Sequence, residues 1–274
     1  MITLSRKKSY RWLILAVAVL VILGVVFLMF MNAESIVSVA DGKLRGRVLD
    51  ENRKTIRGAR VFAYLPDNQT VQDHTDWIGR FRLTGLPSAQ TVEVSVFYTG
   101  YGHNSFKGLA TGGKFDLQIF PHGYELFGKQ APPLQVEKWF NPQPQSLPQL
   151  RGKVVLLHIG IHIDSYDDYN RTVLQMHEKY RSGGLAVIAV YVNHPTSVWP
   201  RATTEQEITT YLKKRNINFP VGLDEAEFGT SGATYKAYGA KASPAKFLID
   251  KKGILRCSPT DKNLEKWVTR LLAE

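Results

Sequence analysis

The sequence predicts three units in series: an N-terminal transmembrane helix, an all-β sandwich and a C-terminal α/β domain. Three patterns carry that reading. Trp12 to Met31 is an apolar run without a charge. From Leu44 to about His122, short alternating segments are separated by turn residues. Beyond that point, apolar strands alternate with segments of helical period. A chain of 274 residues with 44% apolar content is long enough for two ordinary domains and an anchor.

The first unit is residues 12–31. At about 1.5 Å rise per residue, a run near 20 residues long spans roughly 30 Å, one hydrocarbon core. Arg6, Lys7, Lys8 and Arg11 precede it, and no Lys or Arg follows before Lys43. The positive-inside rule puts residues 1–11 in the cytoplasm and everything after Met31 outside. The expected topology is a single pass in the cytoplasmic or inner membrane, with both later domains extracytoplasmic, in the periplasm. A cleaved signal peptide is the rival, with Ser38-Val39-Ala40 as a small-x-small site. The apolar stretch is longer than the usual 7–15-residue signal core, which favours the anchor. Residues 32–42 form a linker under either reading.

Composition removes several functions. The formal charge is +11, and without the four basic residues before the anchor it is about +7, 31 basic minus 24 acidic. No Lys/Arg cluster with interleaved aromatics appears, so no nucleic-acid partner is expected. Lys213-Lys214-Arg215 and Lys251-Lys252 read as a solvated helix end and a turn, and a weak attraction to anionic surfaces stays open. Cys257 is the only cysteine, so no disulfide forms within these residues. Dithiol exchange needs two thiols that attack in turn.

The second unit spans residues 43–122. Leu44–Leu49, Ala59–Tyr64, Gly79–Leu83 and Thr91–Val96 read as strands, with turns at Glu51-Asn52-Arg53-Lys54, Pro66-Asp67-Asn68 and Leu86-Pro87-Ser88. Such regular spacing points to a β-sandwich. The stretches Gly46–Asp50, Ile56–Val61, Thr75–Leu83 and Gly85-Leu86-Pro87 resemble a carboxypeptidase regulatory-like domain. That resemblance implies a transthyretin-like sandwich acting as a folded spacer, with ligand binding as the alternative. Trp77-Ile78 departs from the small or acidic pair usual before Gly79.

The third unit spans residues 123–274 and opens on a Pro- and Gln-rich stretch to Gln149 with little periodicity. Val154–Ile163 is a buried strand. Tyr166, Tyr169, Val173, Met176 and Tyr180 share one helix face. Leu185–Val192 lacks alternation, which suits a central strand covered on both faces. Thr204-x-x-Glu207 is a capping box opening a helix with Ile208, Tyr211 and Leu212 inward. Ala245–Asp250 and Ile254–Cys257 form a hairpin around Lys251-Lys252-Gly253. Leu264, Trp267, Val268, Leu271 and Leu272 mark a final helix. The predicted order is β-α-β-α-β-β-α.

Gly152–Ile163 followed by Asp164-Ser165-Tyr166-Asp167 resembles the first strand and helix of the thioredoxin superfamily, where the strand ends in Trp and Cys-x-x-Cys follows. Supporting stretches are Gly128-Lys129-Gln130-Ala131-Pro132, similar to extracytoplasmic thioredoxin-like proteins, and Asn218-Phe219-Pro220-Val221, Tyr238-Gly239 and Ser243-Pro244 before Phe247-Leu248-Ile249-Asp250. The resemblance implies that Asp164 and Asp167 stand at the two cysteine positions. It puts Ile163 at the tryptophan and His158 at the buried acid that assists proton transfer. It also implies a cis bond at Ser243–Pro244, with Pro244 beside a groove.

Each of these residues also has a plainer reading. Asp164 fits a helix N-cap and Asp167 a reciprocal capping partner. A metal held by His158, His162 and Asp164, with Asp167 and Asp168 nearby, is a weak alternative, because the spacing matches no established ligand motif. An acid–base carboxylate pair lacks a nucleophile or oxyanion donor. Cys257 reads as structural, with a peroxidatic or pairing thiol as the rival. The sequons Asn68-Gln69-Thr70 and Asn170-Arg171-Thr172 matter only in a glycosylating pathway. No cofactor is expected. The function expected is an anchored, redox-inactive thioredoxin-like protein that binds a protein or peptide. The alternatives are oxidoreductase or antioxidant activity through Cys257 or a partner thiol, and a structural envelope component.

Overall fold

The computed structural model describes residues 42–65, 69–141, 146–161, 163, 167–192, 202–225 and 232–274, with 161 and 167–169 described by their backbone. The apolar run 12–31 and the basic segment before it lie outside these residues. Among the described residues no helix is long and apolar enough to cross a membrane.

Seven strands build the first domain: β1 (Leu44–Leu49), β2 (Arg60–Tyr64), β3 (Thr70–His74), β4 (Arg80–Leu83), β5 (Thr91–Tyr98), β6 (Gly102–Ala110) and β7 (Lys114–Gln118). They form two sheets, β4-β1-β7 and β3-β2-β5-β6. Period-two alternation explains the core between them. Leu44, Val48, Phe81, Leu83 and Leu117 face Val61, Ala63, Val94 and Val96, while Arg45, Arg47, Arg80 and Arg82 point out. Gly46 is forced by packing, since a Cβ there would lie 1.8 Å from the Phe115 carbonyl oxygen. The buried Thr75 hydroxyl accepts from the Ala59 N–H at 2.9 Å and donates to the Ile56 carbonyl at 2.7 Å.

The strands β3, β6 and β7 go beyond the four segments that alternation marked. β3 and β6 are the edges of their sheet. An edge strand wetted on one side needs few apolar residues, and Thr-Val-Gln-Asp-His carries one.

The second domain contains β8 (Val136–Phe140), β9 (Val154–Ile161), α1 (Asp167–Tyr180), β10 (Leu185–Val192), α2 (Glu205–Lys214), β11 (Val221–Asp224), α3 (Ala233–Ala237), β12 (Ala245–Ile249), β13 (Leu255–Cys257) and α4 (Asp261–Ala273). One mixed sheet runs β13-β12-β9-β10-β11-β8. β9, β10 and β11 are parallel, whereas β12, β13 and β8 pair antiparallel with their neighbours. The expected β-α-β-α-β-β-α order is therefore corrected by β8, β11 and α3. β8 sits inside the stretch read as aperiodic, and β11 and α3 are only four and five residues long.

Both sheet faces are buried. Val154, Leu156, Ala189 and Leu248 pack under α1, α2 and α4 through Val173, Met176, Ile208, Leu212, Leu264 and Val268. Val155, Leu157, Ile159, Val190, Phe247 and Ile249 pack on the other face with Tyr238 and Leu150. The Thr204 hydroxyl accepts from the Glu207 N–H at 3.2 Å, and the Glu207 carboxylate accepts from the Thr204 N–H at 2.8 Å. Such a box is worth about 1 kcal/mol.

The domains meet at Lys241. Its N–H donates to Nδ1 of the buried His122 at 3.0 Å, and its carbonyl accepts from the His103 N–H. Its ammonium donates to Asn104 Oδ1 at 3.0 Å and to the Phe120 carbonyl at 3.1 Å.

Candidate functional site

The candidate site lies where β9 ends, α1 begins and the Ser243–Pro244 loop approaches. Ser243–Pro244 is a cis peptide, and both residues are half-buried. His162, Asp164, Ser165 and Tyr166 lie outside the described residues, as does the Asp167 side chain. The capping-box reading and the His162/Asp164 part of the metal reading fall there. Among the described residues no three His, Cys, Asp or Glu side chains gather as a metal site. Ile163 is buried, and its carbonyl accepts from the Asn170 amide at 2.9 Å.

His158 is 1% exposed. It sits opposite Lys246 of β12 and Ala189 of β10, with its ring edge-on to Tyr191 at 5.8 Å. Burial pushes its pKa down to about 3, the Lys246 cation adds to this, and a hydrogen bond with Asn170 opposes it. Nδ1 has no hydrogen-bond partner among the described residues. An imidazole this weakly basic stays neutral near pH 7 and is a poor proton acceptor there.

Sequence reading missed the groups around it. Asn170 is a buried hub: its amide donates to the Ile163 carbonyl and to Tyr211 Oη at 3.0 Å, and its Oδ1 accepts from the Tyr191 hydroxyl at 2.9 Å. Its side chain is thus committed and closed to a glycan. Lys246 is 6% exposed and pairs with Asp261 Oδ1 at 2.9 Å, at the first residue of α4. A carboxylate at a helix start is favourably placed against the helix dipole. Ser258 Oγ and Asn263 Oδ1, also near the start of α4, have no partner among the described residues. The one available signal was a lysine inside Ala-Lys-Phe-Leu-Ile, an otherwise apolar strand.

Cys257 ends β13 opposite Leu248 and belongs to the core under the helices. Burial pushes its thiol up to about 12, against a smaller opposite pull from Arg256 and Arg270. At pH 7 such a group holds a thiolate fraction on the order of 10⁻⁵, and the thiolate is the nucleophile. The described part of the site therefore offers a paired cation, a neutral imidazole, an amide and two phenols. None of these is an activated nucleophile.

Residues 43–124 match the family model for the carboxypeptidase regulatory-like domain, and residues 127–258 match that for the AhpC/TSA family. The thiol-disulfide oxidoreductases ResA of Bacillus thuringiensis subsp. konkukian and of Bacillus cereus are each 24% identical over 149 residues, 53% of this chain and 78% of theirs. A solved thiol-disulfide isomerase from Corynebacterium glutamicum is 24% identical with a TM-score of 0.46, covering 53% of this chain and 97% of its own. In sequence, residues 43–124 are thus similar to the carboxypeptidase regulatory-like domain and residues 127–258 to the AhpC/TSA family.

Proposed function

We propose that this chain, whose C-terminal domain is of the thioredoxin-like thiol–disulfide oxidoreductase family, binds a polypeptide partner instead of exchanging disulfides. One observation carries the reading: the single thiol in the sequence, Cys257, is sealed in the core with its pKa near 12. Three further positions support it. By resemblance, Asp164 and Asp167 occupy the places of the exchanging cysteines. His158, at the place of the proton-transferring acid, is a neutral base that gives up its proton near pH 3. An apolar run at residues 12–31 would tether the chain in a membrane, with the sandwich as a spacer between bilayer and groove. The partner segment would lie beside Ser243–Pro244.

An insulin-reduction assay on the full chain in detergent tests this. The wild type is expected at background, and Asp164→Cys with Asp167→Cys is expected to raise turnover. Wild-type turnover above background overturns the reading. In-cell crosslinking of wild type against Ala242→Trp tests the groove, and an unchanged partner set removes it. The relatives' thiol–disulfide oxidoreductase names favour a second reading, in which Cys257 attacks a disulfide of a partner and one partner sulfur leaves as thiolate. Under that reading a mixed disulfide with Cys257 accumulates in non-reducing gels.

A further inference from the structure

The outer face of the β4-β1-β7 sheet carries a grid of cations. Arg82, Arg45 and Lys114 lie in register across the three strands, and Arg80 and Arg47 form the next row. All five are exposed and line one open cleft of about 980 Å³. Like charges directly opposite on neighbouring strands are destabilising, so folding by itself gives no reason for this row.

Nearby carboxylates are mostly turned to other work. Asp116 pairs with Arg47 at 2.5 Å. Asp73 accepts from the backbone N–H of Arg82 and of His74, both at 2.7 Å. Asp76 accepts from the N–H of Ile78 at 3.0 Å and of Arg80 at 2.8 Å. Among the described residues no ion pair engages Arg45, Arg80, Arg82 or Lys114. Five cations against these three carboxylates leave a net charge of +2 on the face.

A second, independent feature stands at its margin. The turn fixed by Asp76 presents Trp77, which is 76% exposed. Tryptophan beside a basic face matches the chemistry of a membrane–water interface, where its apolar ring and polar N–H both find partners.

We infer that the β4-β1-β7 face docks on an anionic lipid bilayer, its cations on headgroup phosphates and Trp77 at the interface. A single free phosphate does not match the geometry. Strands about 4.8 Å apart spread the Arg82–Arg45–Lys114 row over about 10 Å. Reach supports the bilayer: β1 begins at Leu44, and residues 32–43 after the apolar run span at most about 40 Å fully extended. That reach rests on the anchored reading above.

The test uses the full chain in nanodiscs of phosphatidylcholine, or of phosphatidylcholine with phosphatidylglycerol, with nitroxide on the lipid headgroups. A fluorophore is attached at Thr84→Cys, next to β4, or at Lys107→Cys on the opposite sheet. Quenching at Thr84→Cys is expected to be several-fold above that at Lys107→Cys in phosphatidylglycerol discs. It should vanish in phosphatidylcholine alone or at 0.5 M NaCl, where the Debye length is about 4 Å. Each basic side chain near an anionic surface is worth about fivefold in partitioning, so Arg45→Glu with Arg82→Glu is expected to cost at least about 25-fold. Trp77→Ala should weaken quenching less. Equal quenching at both labels, or quenching indifferent to phosphatidylglycerol, overturns the docking. A chain that does not stay with the discs disposes of the anchor instead. It is then added to preformed vesicles, where sedimentation with phosphatidylglycerol alone sustains the face and no binding overturns it.

Discussion

Cations meet across strands in both domains, under opposite conditions. In the α/β sheet, β12 sets Lys246 against His158 of β9, beneath the helices. In the sandwich, β1 sets Arg45 between Arg82 and Lys114, facing water. Cross-strand register does the placing in each case, and the surroundings decide the consequence. Under the helices a charge must be matched or suppressed: Lys246 has Asp261, and His158 stays neutral. On the open face, water screens the charges, so a row of cations survives folding and remains available as a field.

Acid should expose this contrast most strongly. His158 and the junction residue His122 are held down to about 3 and about 4 by burial. For His122 the cations of Lys241 and Lys246 add to burial, as does His103. A depressed folded pKa means that the unfolded chain takes up the proton first. The stability is therefore complete above about pH 6.5 and is lost as pH falls toward the folded values, by up to about 1.4 kcal/mol per pH unit per histidine. Together the two should remove on the order of 4 kcal/mol between pH 6.5 and 4.5. Urea midpoints across that range measure it, and His122→Asn should flatten the slope by about one proton. An unchanged midpoint at pH 4.5 would break the contrast.

Next in size is the ion pair of the buried Lys246 with the half-buried Asp261. Asp261→Ala strands a nearly inaccessible ammonium and should cost about 3 kcal/mol, whereas Lys246→Met, which removes the charge, should cost less. Denaturant unfolding of the two variants reads the difference. Asp116→Ala on the open face is expected to leave the midpoint where it was. Equal losses at Asp261 and Asp116 would erase the distinction between the settings. The smallest effect is chemical: Cys257 should resist a thiol reagent in the native state at pH 8 and react at once in urea. Rapid native labelling would mean that the helix-covered core opens to solvent.

How far the sequence revealed these settings follows from what each residue needs. Val154–Ile161 and Leu185–Val192 were legible because a strand buried on both faces is apolar along nearly all its length, with His158 the exception. The helix at Glu205 was legible because its cap is encoded within four residues. β3 and β6 were not, since an edge strand makes weak demands on composition. The site was legible only where strand burial dictates it, as at His158. Asn170 meets Tyr191 and Tyr211 across separations of 21 and 41 residues, and Lys246 meets Asp261 only after a hairpin turns the chain back. No local pattern writes such meetings down. The basic grid was hidden for the same reason, because Arg45, Arg82 and Lys114 are scattered in sequence and gathered only by pairing.

The Lys241 junction gives the molecule a single mechanical frame. The stem grips the segment two residues ahead of Ser243 at its amide, its carbonyl and its ammonium. Transplanting the C-terminal half onto a foreign stem would leave that lip unmoored. A change as remote as Asn104→Ala, which takes away one of those moorings, would be felt at the Ser243–Pro244 segment of the other domain.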